Sequence, residues 1–119
     1  MRAHNDMATA NTLQTAEGEQ AELAAQVLGH LSDPTRLQLL RLLARGEQDV
    51  STLTAQVSAS RSSVSQHLGR LRLAGLVAAR RDGRRMLYRV HSSHVDALVE
   101  EAYQFAAHLL HDLPHHDDR

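Results

Sequence analysis

Residues 60–75, SRSSVSQHLGRLRLAG, constrain this chain more than any other stretch. Val64, Leu68 and Leu71 recur at three- and four-residue spacing, so a helix here has one apolar face. Ser62, Ser63, Ser65, Gln66 and His67 lie mostly off that face. They are short or amide-bearing side chains whose donors and acceptors suit base edges and phosphates. Ser60 is placed as an N-cap and Gly75 as a stop. An amphipathic helix of this kind is either solvated on its outer face or offers that face to a nucleic acid. Its surroundings decide between the two.

The charge is distributed unevenly. From Pro34 to Val90 there are eleven arginines against three acids, a net of +8, while the flanks carry −9. Cationic charge gathered in the middle of a chain is the electrostatic footprint of a polyanion partner. The chain has three aromatic residues, Tyr88, Tyr103 and Phe105, so its core must be aliphatic. That argues against a base-stacking RNA-binding sheet. With no cysteine, disulfides and thiolate metal sites are excluded. No apolar run reaches the ~20 residues of a membrane span, and no secretion signal opens the chain. A soluble cytoplasmic protein is expected, of one domain with loose ends.

Taken in order, residues 1–15 are polar and read as a disordered or frayed arm. Residues 16–31 form a helix with Leu23, Val27 and Leu31 as its stripe, covering the core or packing on a second subunit. Glu17, Glu19 and Glu22 suit its first turn. Ser32-Asp33-Pro34 starts a leucine-rich core helix that stops at Gly46. Residues 49–57 make a short helix, and Ser58-Ala59-Ser60 turns into the helix already described. Residues 76–90 change period. Asp82-Gly83 marks a hairpin, and Met86, Tyr88 and Val90 share one side of its second strand. The tip is arginine-rich. Ser92 or Ser93 caps a last helix, 94–112, with Val95, Leu98, Val99, Ala102, Phe105, Ala106 and Leu109 as its stripe. Pro114 ends it, and a His-rich tail, 114–119, follows. The main domain spans 16–113. The fold is mainly α with a small β-hairpin, a winged helix-turn-helix.

The order of elements and four segments, LSDPTRLQLLRLLARGE (31–47), SVSQHLGRLRLAGLV (63–77), RRDGRRMLYRV (80–90) and the His-bearing last helix, resemble the ArsR/SmtB family of winged-helix, metal-responsive repressors. The resemblance covers about residues 16–116. It implies a homodimer through the first and last helices, bound to double-stranded operator DNA. It implies that Ser62, Ser63, Ser65, Gln66 and His67 face the groove, and that Arg61, Arg81, Arg84 and Arg85 contact phosphate. The family's cysteine site would fall at Asp49 and Ser51, which excludes sensing of arsenic, lead or cadmium there. The family's zinc site on the last helix would fall at Ser92, His94, Phe105 and His108, so half its ligands are missing. The nickel/cobalt branch recruits the C-terminal tail, and His94, His108, His111, His115 and His116 resemble that branch best.

The spacing tests this physically. His94 and His108 are about four turns apart, on nearly the same face but about 21 Å apart along the axis. One helix cannot bring them to a single ion. Two antiparallel copies with their axis near Glu101 place His94 of one chain against His108 of the other. His108 and His111 are neighbours at i, i+3, and Pro114 lets His115 or His116 fold back. Four or more nitrogens with an oxygen, which Glu101 could supply, favour six-coordinate nickel or cobalt over tetrahedral zinc. The bland alternative is a set of scattered surface histidines and a polar tail.

The expected function is therefore a repressor released from its operator by a divalent metal, nickel or cobalt ahead of zinc. The rivals are a zinc-responsive relative and a metal-independent winged-helix regulator. An enzyme is not expected, since the chain has no HExxH, no cysteine nucleophile and no Gly-rich phosphate loop. No small-molecule substrate is expected.

Overall fold

The computed structural model describes the backbone of residues 2–112 and the side chains of residues 15–112. The expected tail, with His115 and His116, lies outside the described residues. Two compact units divide at the 32/33 junction, where the sequence suggested a single domain over 16–113.

The first unit is one helix, α1 (Arg2–His30). It begins at Arg2, not near residue 16. Residues 2–17 contain neither Pro nor Gly, and their Ala, Arg, Met, Leu, Gln and Glu residues are good helix formers. Glu17, Glu19 and Glu22 consequently sit in mid-helix and not in a first turn. The Ser32 hydroxyl donates to the Gly29 carbonyl at 2.6 Å and helps close the helix end.

The second unit holds α2 (Pro34–Leu43), β1 (Gln48–Asp49), α3 (Val50–Thr54), α4 (Arg61–Leu73), β2 (Val77–Asp82), β3 (Arg85–Val90) and α5 (Ser93–Asp112). Its caps are the ones the sequence signals. Asp33 accepts from the Arg36 amide at 3.0 Å ahead of Pro34, and Ser60 accepts from the Ser63 amide at 3.0 Å. The end of α4 is a Schellman motif: Leu76 N–H donates to the Leu71 carbonyl and Gly75 N–H to that of Arg72, with Gly75 at φ +81. The Ser92 hydroxyl accepts from the His94 amide at the start of α5.

The sheet has three strands, in the order β1-β3-β2, where the sequence suggested a two-stranded hairpin. β1 pairs Gln48 with Tyr88 and Asp49 with Leu87. Two residues are too few for any periodicity to announce. The turn is also shifted by one residue. Asp82 pairs with Arg85, so Gly83 and Arg84 are the central residues, and positive φ at Gly83 alone gives a type II′ turn. On β3, Leu87 is the buried residue, whereas Met86, Tyr88 and Val90 on the opposite side are half-buried.

The core is aliphatic, as the composition requires. Leu39, Leu40 and Leu43 of α2, Leu53 of α3, and Val64, Leu68 and Leu71 of α4 are all at most 2% exposed. Val77, Leu87, Val95 and Val99 close it from the sheet and α5. At about 1.5–3 kcal/mol for each large side chain removed from water, this cluster fixes how α4 sits on the unit.

Candidate nucleic-acid interface and histidine row

Successive residues of a helix are about 100° apart, and that fixes what α4 presents. Val64, Leu68 and Leu71 define its buried line. Ser62, Gln66, Gly69, Arg70 and Leu73 project to the opposite side, with Ser63 and Ser65 on the shoulders. Arg70 and Leu73 were missed from sequence, although Arg70 follows Gln66 at i+4 on the same face. Gln66, Gly69, Arg70, Arg72 and Leu73 line a shallow depression, and Arg61, Ser62, Ser65 and Gln66 line another.

His67 departs from expectation. Its side chain is 19% exposed and turns back toward the start of α2. Nδ1 lies 3.3 Å from Arg36 Nη1, and Nε2 lies 3.8 Å from Asp33 Oδ2. It does not share the outward face of Gln66.

The arginines divide into two classes. Arg80 is bound by Glu47, its Nε and Nη2 donating at 2.8–3.1 Å, and Arg89 stands 4.0 Å from the same carboxylate. Arg85 pairs with Asp49 at 3.4 Å and Asp82 at 3.2 Å. Arg61 donates to the Ser51 hydroxyl. Arg81 and Arg84, at the hairpin tip, and Arg70 and Arg72, on α4, are exposed and form no ion pair among the described residues. All three acids of the central segment are thus engaged by Arg80, Arg85 and Arg89, while Arg81 and Arg84 beside the turn and Arg70 and Arg72 on α4 have no acidic partner among the described residues.

The carboxylates respond accordingly. Hydrogen bonds from Arg80 hold the Glu47 carboxyl below its usual range. The Thr52 amide, then its hydroxyl, lowers Asp49, with the Arg85 charge adding to this. The Arg36 amide lowers Asp33, with the Arg36 charge adding to this. Asp49 and Ser51, the positions of the family's cysteine site, are here a helix cap and a partner of Arg61.

On α5 three sectors follow from the same 100° rule. Val95 and Val99 are buried, with Tyr103 half-buried beside them. Next to them runs an exposed apolar stripe: Leu98, Phe105 and Leu109 are 42%, 65% and 52% exposed. Beyond it stand His94, Glu101 and His108, all exposed. The sequence had joined the first two sectors into a single stripe. Arg41 ties α2 to α5, 3.4 Å from Glu100 and stacked 4.0 Å from the Tyr103 ring centre. His111 is exposed and well off the line of His94 and His108. Among the described residues, no three metal-ligating side chains of one chain come together. Imidazole donors fit nickel, cobalt or zinc chemically, yet the described residues of one chain do not close a site. Among the described residues, no helix is long and apolar enough to cross a membrane.

Comparison with known proteins agrees with this geometry. Residues 33–79 match the family described as bacterial regulatory protein, arsR family. The HTH-type transcriptional regulator KmtR of Mycobacterium tuberculosis is 43% identical over 82% of this chain and 75% of its own length. The probable mercury resistance operon repressor of Streptomyces lividans is 38% identical over 84% and 82%. A solved homodimeric winged helix-turn-helix DNA-binding domain from Mycobacterium bovis, a possible ArsR-family transcriptional regulator, superposes with a TM-score of 0.70. It is 32% identical and covers 84% of this chain and 90% of that one.

Proposed function

The chain belongs to the arsR family of bacterial regulatory proteins, and from that premise we propose that it is a homodimeric, operator-binding transcriptional repressor released from DNA by a divalent metal. The observation that carries the DNA-binding part is the outward face of α4 beside a hairpin tip whose Arg81 and Arg84 have no acidic partner among the described residues. Each α4 enters a major groove, Ser62, Ser63, Ser65 and Gln66 lie toward base edges, and Arg61, Arg81 and Arg84 take phosphates. Arg85 belongs to the hairpin's internal ion pairs before it belongs to DNA. The names of the Mycobacterium bovis and Streptomyces relatives, homodimeric DNA-binding domain and operon repressor, support the same reading.

The metal-responsive part rests on the row of His94, Glu101 and His108 along the edge of the exposed apolar stripe of α5. When a second copy covers that stripe, His94 of one chain and His108 of the other supply nitrogen donors at two symmetric places, with His111, His115 and His116 as further donors. A bound divalent cation supplies a bridge between chains. The bridge shifts the equilibrium only if it favours the dimer with low operator affinity. A coupling of about 3 kcal/mol changes operator affinity more than a hundredfold.

The test is titration of nickel, cobalt and zinc into the full chain on a palindromic operator, with cobalt followed by its visible spectrum. Weak six-coordinate absorption with loss of DNA binding, abolished by a His94→Ala/His108→Ala double variant that still binds DNA, is the expected result. Intense tetrahedral absorption with zinc the stronger inhibitor would replace nickel and cobalt by zinc. Operator affinity indifferent to all three metals would refute metal control and leave the DNA-binding regulator.

A further inference from the structure

His67 sits in the middle of the helix that faces DNA, yet its ring is committed elsewhere. The neutral imidazole has one N–H donor and one acceptor. With the proton on Nε2, Nδ1 accepts from Arg36 Nη1 at 3.3 Å, and Nε2–H faces Asp33 Oδ2 at 3.8 Å, an electrostatic contact longer than a hydrogen bond. The opposite tautomer would aim an N–H at the Arg36 guanidinium. Both ring nitrogens thus face the start of α2, away from the outward side of α4. Asp33 is itself fixed, because the same Oδ2 caps α2 by accepting the Arg36 amide at 3.0 Å.

From this geometry we infer that His67 is a positioning residue of the DNA-contacting helix. It pins α4 against the start of α2 and sets the rotation at which Ser62, Ser65 and Gln66 meet the groove. Val64, Leu68 and Leu71 hold α4 on the core, and the contacts of His67 with Arg36 and Asp33 add a directional constraint at the start of α2. A side-chain tip about 6 Å from a helix axis moves about 1 Å when the helix turns by 10°, enough to lose a base-edge hydrogen bond. The inference rests on the proposal that α4 binds DNA, and it assigns His67 a role different from that of its neighbours on the helix.

The experiment measures operator affinity of the full chain across a panel of operators carrying every single-base change, for wild type, His67→Ala, Asp33→Asn and the double variant. Asparagine keeps the α2 cap, so Asp33→Asn preserves the fold if His67→Ala does not. The expected result is a uniform loss of about fivefold on all operators for either single variant, with the order of base preferences unchanged. The double variant loses no more than the weaker-binding single one. Flattened preference at one base pair on removing His67 would mean that it reads a base, and would overturn the inference. So would an unchanged affinity, or independent losses that multiply in the double variant.

If the wild-type chain binds no DNA, the DNA-binding reading fails and the imidazole nitrogen shifts still decide the question for His67. A fixed Nε2–H tautomer that responds to Asp33→Asn supports the pin. Averaged tautomers indifferent to that change overturn it.

Discussion

Removing Arg81 and Arg84 tests the division of arginines most directly. Both are exposed at the β2–β3 tip without an ion pair among the described residues, whereas Arg85 next to them is held by Asp49 and Asp82. Each phosphate neutralised contributes about −0.9 to the slope of log affinity against log salt. A dimer has two tips, so Arg81→Ala/Arg84→Ala removes four contacts and flattens the slope by about 3.6. Between about 50 and 200 mM salt, the wild-type affinity should fall about 150-fold further than that of the variant. Arg85→Ala should leave the slope nearly unchanged and slightly lower the melting temperature by removing the ion pairs to Asp49 and Asp82. Fluorescence anisotropy on a labelled operator at four or five salt concentrations measures all three proteins. An unchanged slope for the double variant, or an equal flattening for Arg85→Ala, would refute the reasoning that internal pairing decides which arginines reach DNA.

Leu68→Ala empties a fully buried site under α4 and should cost about 2–5 kcal/mol, read from denaturant unfolding. Two glycine substitutions should have opposite signs. Gly75→Ala forces a Cβ into φ +81 and should destabilise by about 1 kcal/mol; Gly69→Ala lies in a helix interior with nothing within 4 Å of the added carbon and should stabilise by about 0.5–1 kcal/mol. The Asp33 carboxyl is lowered in the folded state, so its contribution is fully present above the ordinary carboxylate range and is lost as pH falls through the lowered value. Asp33→Asn should therefore flatten the acid limb of a melting-temperature profile. Phe105→Ala should leave single-chain stability almost unaltered, because the ring is 65% exposed, while sedimentation shows dimer dissociation at higher concentration than wild type.

What could be read in advance follows how local its cause is. Asp33-Pro34, Ser60 and Gly75 mark helix ends because cap chemistry is confined to a few neighbouring residues. Val64, Leu68 and Leu71 of α4 declare their buried face by spacing alone, and the leucine run of α2 marks it as a core helix. β1 escaped because its two residues are a strand only by virtue of Tyr88 and Leu87, far along the chain. The orientation of His67 escaped for the same reason, since both its partners belong to α2. On α5 the apolar period was correct but could not show that Val95 and Val99 are buried while Leu98, Phe105 and Leu109 stay in water. The helical start at Arg2 was hidden by Asn and Thr residues whose weak individual penalties looked collectively like coil.

The sectors of α5 bear on how a sensor of this kind would work. The apolar stripe and the histidine row run side by side on one helix, so in the proposed homodimer a partner that covers Leu98, Phe105 and Leu109 would also lie beside His94 and His108. In the proposed homodimer that partner is a second α5, and two-fold symmetry makes every contact between positions 94 and 108 occur twice. Stability and sensing then share a seam. A ligand there need not strain the DNA-facing helix itself, because it changes only which of two packings of the same stripe is preferred. Arg41, stacked on Tyr103 and paired with Glu100, carries the position of α5 to α2, and the contacts of Asp33 and Arg36 with His67 carry that of α2 to α4. The two polar fastenings lie toward opposite ends of α2. Under the proposed function, a change in the seam would reach the groove-facing side chains as a small rigid displacement, to which hydrogen bonding to base edges is more sensitive than phosphate contact is.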